Sequence, residues 1–421
     1  MILSLYLMFL GFVSAFALNA YVPIPMIFAV LLLCKSSLTI MKSNKMQLIN
    51  QNAILLMYFL FVILGLSFLL QSFRLGFQSK GLSHFISYLV IIMYYVVIEW
   101  SFIKEKITIQ KIFKYISFGV VFVSIITLLE FVCKNFLYVD FDKFIPRKDV
   151  QQFYTLYNTG FMWLYRARGT AEESGHNAMY LTMFLPFVFY YYRVMVKKKV
   201  KMILSCGLVI AAIITTFSTI GFVELLVVGA LVFIVKIISK FKKGLKMRQW
   251  LFIFYLIGGI VIAYLIFKGN GKLDLTAFQG MIDKITFTNT TSAGDRMNRW
   301  ANALHIFADH PLLGGGPGIA AIEGGTGSTN MYLEFLAETG MVGLITFLLM
   351  MFMNFRLIFK IKGSKKYVYL FSFLTMAIHL MVISNYWYPW MWFLFAVISY
   401  NSRVQKSDSN SDLEKTILKA S

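Results

Sequence analysis

Long apolar runs, each about the length of a bilayer-crossing helix, alternate along the chain with short polar or basic breaks. A helix needs roughly 17–25 apolar residues to cross the hydrocarbon layer. Runs of this kind fall near 2–18, 22–40, 53–72, 83–103, 112–133, 177–193, 202–218, 221–239, 249–267, 330–352, 367–385 and 388–400. The pattern predicts an all-α polytopic membrane protein of about twelve transmembrane helices, within a range of eleven to thirteen. The first run has no basic leader and is followed almost at once by a second, so it reads as a retained helix rather than a signal peptide.

Two breaks are too long to be turns. They divide the chain into a first bundle (1–133, spans 1–5), a loop (134–176), spans 6–9 (177–267), a large loop (268–329), spans 10–12 (330–400) and a polar tail (401–421). The tail is expected to be disordered or weakly helical. With an even number of spans both ends share a side. Most of the 40 basic residues fall on that side, in clusters such as Lys197, Lys198, Lys199 and Lys240, Lys242, Lys243. The positive-inside rule then puts both termini in the cytoplasm and both long loops outside.

Composition agrees: 59% of residues are hydrophobic and only 14% charged, against about 25% charged in soluble domains. The formal net charge of +21 is accounted for by topology and attraction to anionic lipid, and nucleic-acid binding is not needed to explain it. Cys34, Cys133 and Cys206 lie in or beside apolar runs with no metal-ligand spacing, so neither a disulfide nor a zinc site is expected.

The candidate chemistry lies in the two loops. The first ends with Arg166 and Arg168, then Glu172, Glu173, Ser174, His176 and Asn177 at the start of an apolar helix. For Ser174 and Asn177 ordinary helix capping is the favoured reading. An arginine near the bilayer surface offers a planar fork suited to phosphate, although snorkelling to the interface remains open for Arg168.

The second loop predicts an amphipathic helix over roughly 293–308. Ser292 is its N-cap, Trp300, Leu304 and Phe307 form its apolar stripe, and Arg296 and Arg299 lie beside that stripe. Pro311 ends it. Gly314, Gly315, Gly316 and Gly318 would suit a backbone anion cradle, but the glycines alone favour a flexible connection. Asn330 opens the next span, and Glu334 and Glu338 follow within it. Carboxylates at membrane depth need a polar cavity or a partner. Arginine is the expected partner for these two, for Glu130 and for Glu224. The aromatic run with Tyr386, Trp387, Tyr388, Trp390 and Trp392 is expected to be an interfacial belt rather than a sugar platform.

The order Arg296, Trp300, Ala303-Leu304, His310-Pro311-Leu312, Gly314-x-Gly316-x-Gly318 and Asn330-x-Tyr332-Leu333, closing on Glu338-x-Gly340-x-x-Gly343, resembles the O-antigen ligase and Wzy-type polymerase superfamily. Arg168-Gly169-Thr170 resembles that family's other outer-loop arginine motif, and Phe217-Ser218-Thr219 its Thr/Ser-rich turn. The resemblance covers roughly 160–355; the first five spans match only in being hydrophobic. It implies a GT-C-type glycosyltransferase fold acting on undecaprenyl-diphosphate-linked oligosaccharide at the outer face of the bacterial cell membrane. Carried over, Arg168 and Arg296 would hold the diphosphate, and Asn330 would shape the site. Ligases of the superfamily usually have a histidine before that asparagine. Here the position is Thr329, which cannot act as a base near neutral pH. The turn after Phe217-Ser218-Thr219 also lacks the family's frequent arginine, having Ile220 and Gly221.

Both departures favour a polymerase for O-antigen, capsule or exopolysaccharide. Its expected catalytic set is Arg168, Arg296, His176 and Glu173. Arg166, Glu172, Arg299, Gly316, Gly318, Thr329, Asn330 and Glu338 are expected to bind substrate. Two arginines can neutralise a leaving diphosphate without a metal or cofactor, and direct displacement would invert the anomeric centre. The acceptor base would come from His176, Glu172, Glu173 or, less favoured, Glu323. His310 is expected to be a helix terminator, and His84, His305 and His379 to stand apart from catalysis. The expected partners are a lipid-linked donor and acceptor and the bilayer, with a chain-length regulator left open. An O-antigen ligase acting on lipid A core is the first rival. A flippase is the second, but it would show two related halves.

Overall fold

The computed structural model describes residues 1–17, 22–43, 51–147, 156–158, 163–241 and 291–420. The predicted span at 249–267 and the loop segment 268–290 lie outside the described residues, as do the side chains of 291–293 with the expected Ser292 cap. In lipid an apolar segment has no water for its N–H and C=O groups and must close those bonds internally, which makes it helical. The described chain accordingly runs α1 (Ile2–Met8), α2 (Ile24–Ser43), α3 (Gln51–Leu75), α4 (Ser79–Lys104, with a π turn at Met93–Val97) and α5 (Ile109–Asn135). After the first loop come α6 (Ser174–Tyr190), α7 (Lys199–Thr215) and α8 (Thr219–Phe241). The second loop holds α9 (Thr291–Asp309) and α10 (Ile319–Glu323), followed by α11 (Met331–Lys360), α12 (Lys365–His379) and α13 (Pro389–Ala420).

Five of these are long and apolar enough to cross a membrane: Ile54–Leu75, Ser79–Lys104, Ile109–Asn135, Thr219–Lys236 and Met331–Lys360. α5 shows how one helix serves two surroundings. It buries Ile116, Val120 and Val123, and exposes Phe118, Phe122, Ile125, Leu129 and Val132 at the three- and four-residue spacing of a lipid-facing stripe. It packs on α6, α7 and α1, while α6 packs in turn on α12, and α11 packs on α3, α9 and α13.

Several expectations need correction. The first run is helical only to Met8. Beyond it the backbone unwinds, because side chains from elsewhere satisfy its carbonyls: Trp390 Nε1 donates to Leu10 O (3.0 Å) and Thr170 Oγ1 to Gly11 O (2.7 Å). The first loop contains a small antiparallel hairpin, β1 (Leu156–Asn158) with β2 (Trp163–Tyr165). Of the two states expected for the tail, disordered or weakly helical, the structure shows the helical one: α13 continues to Ala420. The expected aromatic belt is core instead. Tyr386, Trp390 and Trp392 are at most 1% exposed, Tyr386 stacks on Tyr88 at 4.2 Å, and Trp392 Nε1 donates to Tyr386 O (2.7 Å). Aromatics with a satisfied polar handle can be buried completely.

The glycine-rich segment after α9 rests on a shelf formed by the C-terminal part of α3 and the N-terminal end of α4. Ser67 Oγ donates to Glu338 O (2.7 Å), Gln71 Nε2 to Pro317 O (3.3 Å), Arg74 Nη2 to Gly315 O (2.9 Å) and Lys80 Nζ to Ala321 O (3.2 Å). α11 breaks its helical geometry at Gly340 (φ +63°, ψ −163°) so that this segment can pass against it. A Cβ at Gly340 would overlap the Leu312 carbonyl, and one at Gly314 the backbone at Glu338. Only glycine permits both the backbone angles and the approach.

Candidate active site

The first loop is organised by a buried ion network at the C-terminal end of α5. Lys134 Nζ lies 2.8 Å from Glu130 Oε1 and 3.0 Å from Asp142 Oδ2. Arg147 reaches Glu130 Oε2 (3.1 Å) and Asp142 Oδ1 (2.8 Å), and Arg168 Nη2 reaches Asp142 Oδ2 (2.9 Å). The N–H groups of Arg168 and Gly169 also donate to Glu130 Oε2, at 3.1 and 2.7 Å. Among the described residues of this network, three cations surround two carboxylates, an excess of one positive charge. Burial alone would raise the Asp142 carboxyl, but Arg147, Lys134 and Arg168 together hold it below its ordinary value.

Arg168 is therefore 2% exposed and already paired, and a diphosphate meeting it would share it with Asp142. Arg166 is half-buried and donates through Nε to Thr216 O (2.9 Å), which fastens the loop to the turn between α7 and α8.

At the start of α6 a second group forms. Tyr388 Oη donates to Glu172 Oε2 (3.0 Å) and lies 2.8 Å from His176 Nδ1. His176 is buried, Glu172 half-buried and Glu173 exposed. Glu173 occupies the N-cap position of α6 without a side-chain capping bond, and it lies close enough to Arg296 of α9 to stabilise that guanidinium. Burial is the largest influence on Arg296 and pulls it down; Glu173 opposes this. The two loops thus come within electrostatic range of each other at the start of α6. Arg299 pairs with Asp295 (2.6 Å) one turn away on α9. A small cavity, with room for about one water molecule, adjoins this group and is lined by Met179, Asn385, Tyr386, Tyr388 and Trp390 among others.

The helix of the second loop runs close to its expected bounds, but its inward face differs. Ala303 and Ile306 are buried, against Ile319, Ala320 and Ala337, whereas Leu304 of the expected stripe is 48% exposed. Small residues let α9 sit close to α11, and the larger ones are left outward. His310 follows the helix and contacts Arg74. Burial first, and Arg74 second, lower its pKa, in keeping with a structural role.

The glycine segment does not form an open anion cradle. The N–H groups of Gly314, Gly315 and Gly316 donate to His310 O, Ala337 O and Glu338 O, and that of Gly318 to Glu338 Oε1 (2.7 Å). Asn330 caps α11, its Oδ1 accepting from Tyr332 N–H (3.0 Å) and Leu333 N–H (3.2 Å). Thr329 has φ +56°, and its buried Oγ1 has no hydrogen-bond partner.

Of the four carboxylates expected to find arginine, only Glu130 does so. Glu338 accepts from His84 Nδ1 (3.0 Å) and Tyr88 Oη (2.9 Å) besides Gly318. Glu334 accepts from Ser328 N–H (2.6 Å), and Glu224 pairs with His379 Nδ1 (2.7 Å). Histidines and hydroxyls at matching depth on neighbouring helices do the work assigned to arginine. His84, expected to stand away from both loops, therefore lies directly against the second one. His84, Glu334 and Glu338 also bring one ligand atom each within 4.8 Å of one another, a donor set that a divalent cation could use, although these atoms already hold the glycine segment in place.

Sequence reasoning missed Gln71, Arg74, His84, Tyr88, Asp142, Arg147 and Tyr388. Most stand singly in apolar runs or outside any motif, and only the fold brings them together.

A family model described as O-antigen ligase matches residues 204–348. The chain carries an O-antigen ligase/Wzy-type superfamily domain. That domain runs from α7 into α11 and includes Arg296, Arg299, Thr329, Asn330 and Glu338; Arg168, Glu172 and His176 precede it. No curated protein matches the chain. Apolar helices together with an O-antigen ligase domain support a multi-pass membrane protein of glycosyltransferase-like, ligase- or polymerase-type function. The match does not distinguish the two activities.

Proposed function

We propose that this protein is a polysaccharide polymerase. It would join undecaprenyl-diphosphate-linked repeat units on the outer face of a bacterial cell membrane, with about twelve spans and both termini cytoplasmic. What supports the reading is the proximity of the two loops: Arg296 of α9 lies within electrostatic range of Glu173 at the start of α6, beside Glu172 and His176.

In this reading Arg296 and Arg168 neutralise the developing charge on the leaving diphosphate, Arg168 drawing on the net positive charge of its network. The acceptor sugar hydroxyl gives its proton to His176 and attacks the anomeric carbon with inversion. Arg299, Gly318 and Asn330 shape the donor side through the packing of α9, the glycine segment and α11. Thr329 in place of a histidine before Asn330 favours a polymerase over a ligase, because an acceptor-activating base is then needed from elsewhere. The second reading is an O-antigen ligase, the activity named in the family description, which would transfer finished glycan to lipid A core.

Full-length protein in proteoliposomes, given a defined lipid-linked repeat unit, should lengthen the lipid-linked glycan without added nucleotide. Transfer to lipid A core with no lengthening would establish the ligase instead. Translocation of intact substrate with neither product would establish a flippase.

A further inference from the structure

Tyr388 Oη lies within hydrogen-bond distance of both Glu172 Oε2 (3.0 Å) and His176 Nδ1 (2.8 Å). The phenol carries one proton and can donate only once. The phenol donates to Glu172 Oε2; directed to His176 instead, its proton would leave that contact as two oxygens with no proton between them. The arrangement that satisfies both contacts sends the phenol proton to Glu172 and an Nδ1 proton to the phenol oxygen. His176 and Tyr388 are 6% and 5% exposed, so water cannot readily replace either bond. The ring of Tyr388 is also held in place, packed at 4.8 Å from Trp390 and edge-on to His176.

We propose that Tyr388 is a positioning residue that, through Glu172, fixes His176 as its Nδ1–H tautomer and so makes Nε2 the basic nitrogen for the acceptor hydroxyl. The assignment rests on the polymerase reading for its chemistry, though not for its geometry. In the step, Nε2 takes the hydroxyl proton while the hydroxyl oxygen bonds to the anomeric carbon. The bond from that carbon to the diphosphate oxygen breaks, and its electron pair leaves with the diphosphate. His176 becomes an imidazolium whose Nδ1–H bond to Tyr388 strengthens, with the Glu172 carboxylate balancing the new charge. A chain with threonine at position 329 thereby has an oriented base on the opposite loop.

The test joins a spectroscopic and a kinetic readout on the full-length protein in nanodiscs. Nitrogen-15 spectra of histidine-labelled protein, with the His176 signals assigned by their loss in His176→Gln, report which ring nitrogen bears the proton. The proton is expected on Nδ1 in the unmodified protein and in Glu172→Gln, whose amide oxygen still accepts the phenol proton. It is expected to move toward Nε2 in Tyr388→Phe. With a lipid-linked repeat unit as substrate, Tyr388→Phe should lower kcat roughly 10- to 100-fold, part of the roughly 100- to 10,000-fold a positioned base supplies, with KM unchanged. An Nε2–H tautomer in the unmodified protein overturns the proposal, and so does an unchanged kcat in Tyr388→Phe. Should the unmodified protein polymerise nothing, the polymerase reading fails while the tautomer measurement still judges Tyr388.

Discussion

Replacing Glu338 with leucine tests how the glycine segment is held. Glu338 is fully buried, and its carboxylate accepts from Gly318 N–H (2.7 Å), Tyr88 Oη (2.9 Å) and His84 Nδ1 (3.0 Å). Leucine removes all three acceptor contacts. His84 keeps a partner, since Tyr386 Oη lies 3.0 Å from the same nitrogen, but Gly318 N–H and Tyr88 Oη lose theirs. Each hydrogen bond to a charged group contributes about 1.5–3 kcal/mol, so the two together amount to about 3–6 kcal/mol. Removing a buried carboxylate recovers part of its desolvation, leaving a net loss of about 2–4 kcal/mol. Glutamine keeps an acceptor for Gly318 and gives up only the charge, for a loss of about 1 kcal/mol. Thermal unfolding in nanodiscs, followed by tryptophan fluorescence, should rank native above Glu338→Gln above Glu338→Leu. Limited proteolysis should cut between 311 and 329 first in the leucine variant. Equal unfolding temperatures for native and Glu338→Leu would refute the reasoning.

Arg296→Lys keeps the charge but loses the bidentate fork; long-chain glycan in cells carrying it should fall at least about tenfold, and normal chain length on a gel would exclude Arg296 from the site. Gly340→Ala should destabilise α11 by more than the roughly 1–2 kcal/mol that a left-handed residue costs, because its methyl also meets the Leu312 carbonyl; the drop in unfolding temperature should exceed that of Gly325→Ala, also at positive φ but with no neighbour within 4 Å. Asp142 titrates below its unfolded value, so its contribution is complete above about pH 4 and disappears as the pH falls through the lower folded value. The stability gap between native and Asp142→Asn, measured from pH 7 down to pH 3, should therefore narrow only at the acid end.

The helical character, the outer-loop helix and its stop before Pro311 were legible because each is a local matter of apolar runs, period and a helix breaker. What escaped was pairing across the fold. His84 and Glu338 are 254 positions apart and Tyr388 and His176 are 212 apart, so neither pair leaves a spacing to read. Glu130 shows the limit most clearly. Its need for a cation was evident from its depth, but its partners Lys134, Arg147 and Arg168 include two that only the folded loop delivers. The glycines of 314–318 misled in another way. Glycine marks close approach of a backbone to something, and here the something is α11 and the α3–α4 shelf rather than an anion. The aromatic run near the end misled by composition, since the same residues that favour an interface also fill a core once their N–H and O–H groups find carbonyls.

The shelf under the glycine segment has a practical corollary for anyone wishing to isolate the recognisable part of this protein. Residues 204–348 leave behind Ser67, Gln71, Arg74, Lys80 and His84, on which that stretch is seated. An excised fragment would expose raw carbonyls where it should meet its foundation and leave the Glu338 carboxylate with Gly318 N–H but without His84 and Tyr88. Supplying residues 1–203 as a separate polypeptide ought to restore the missing floor, so the two stretches are a single mechanical unit.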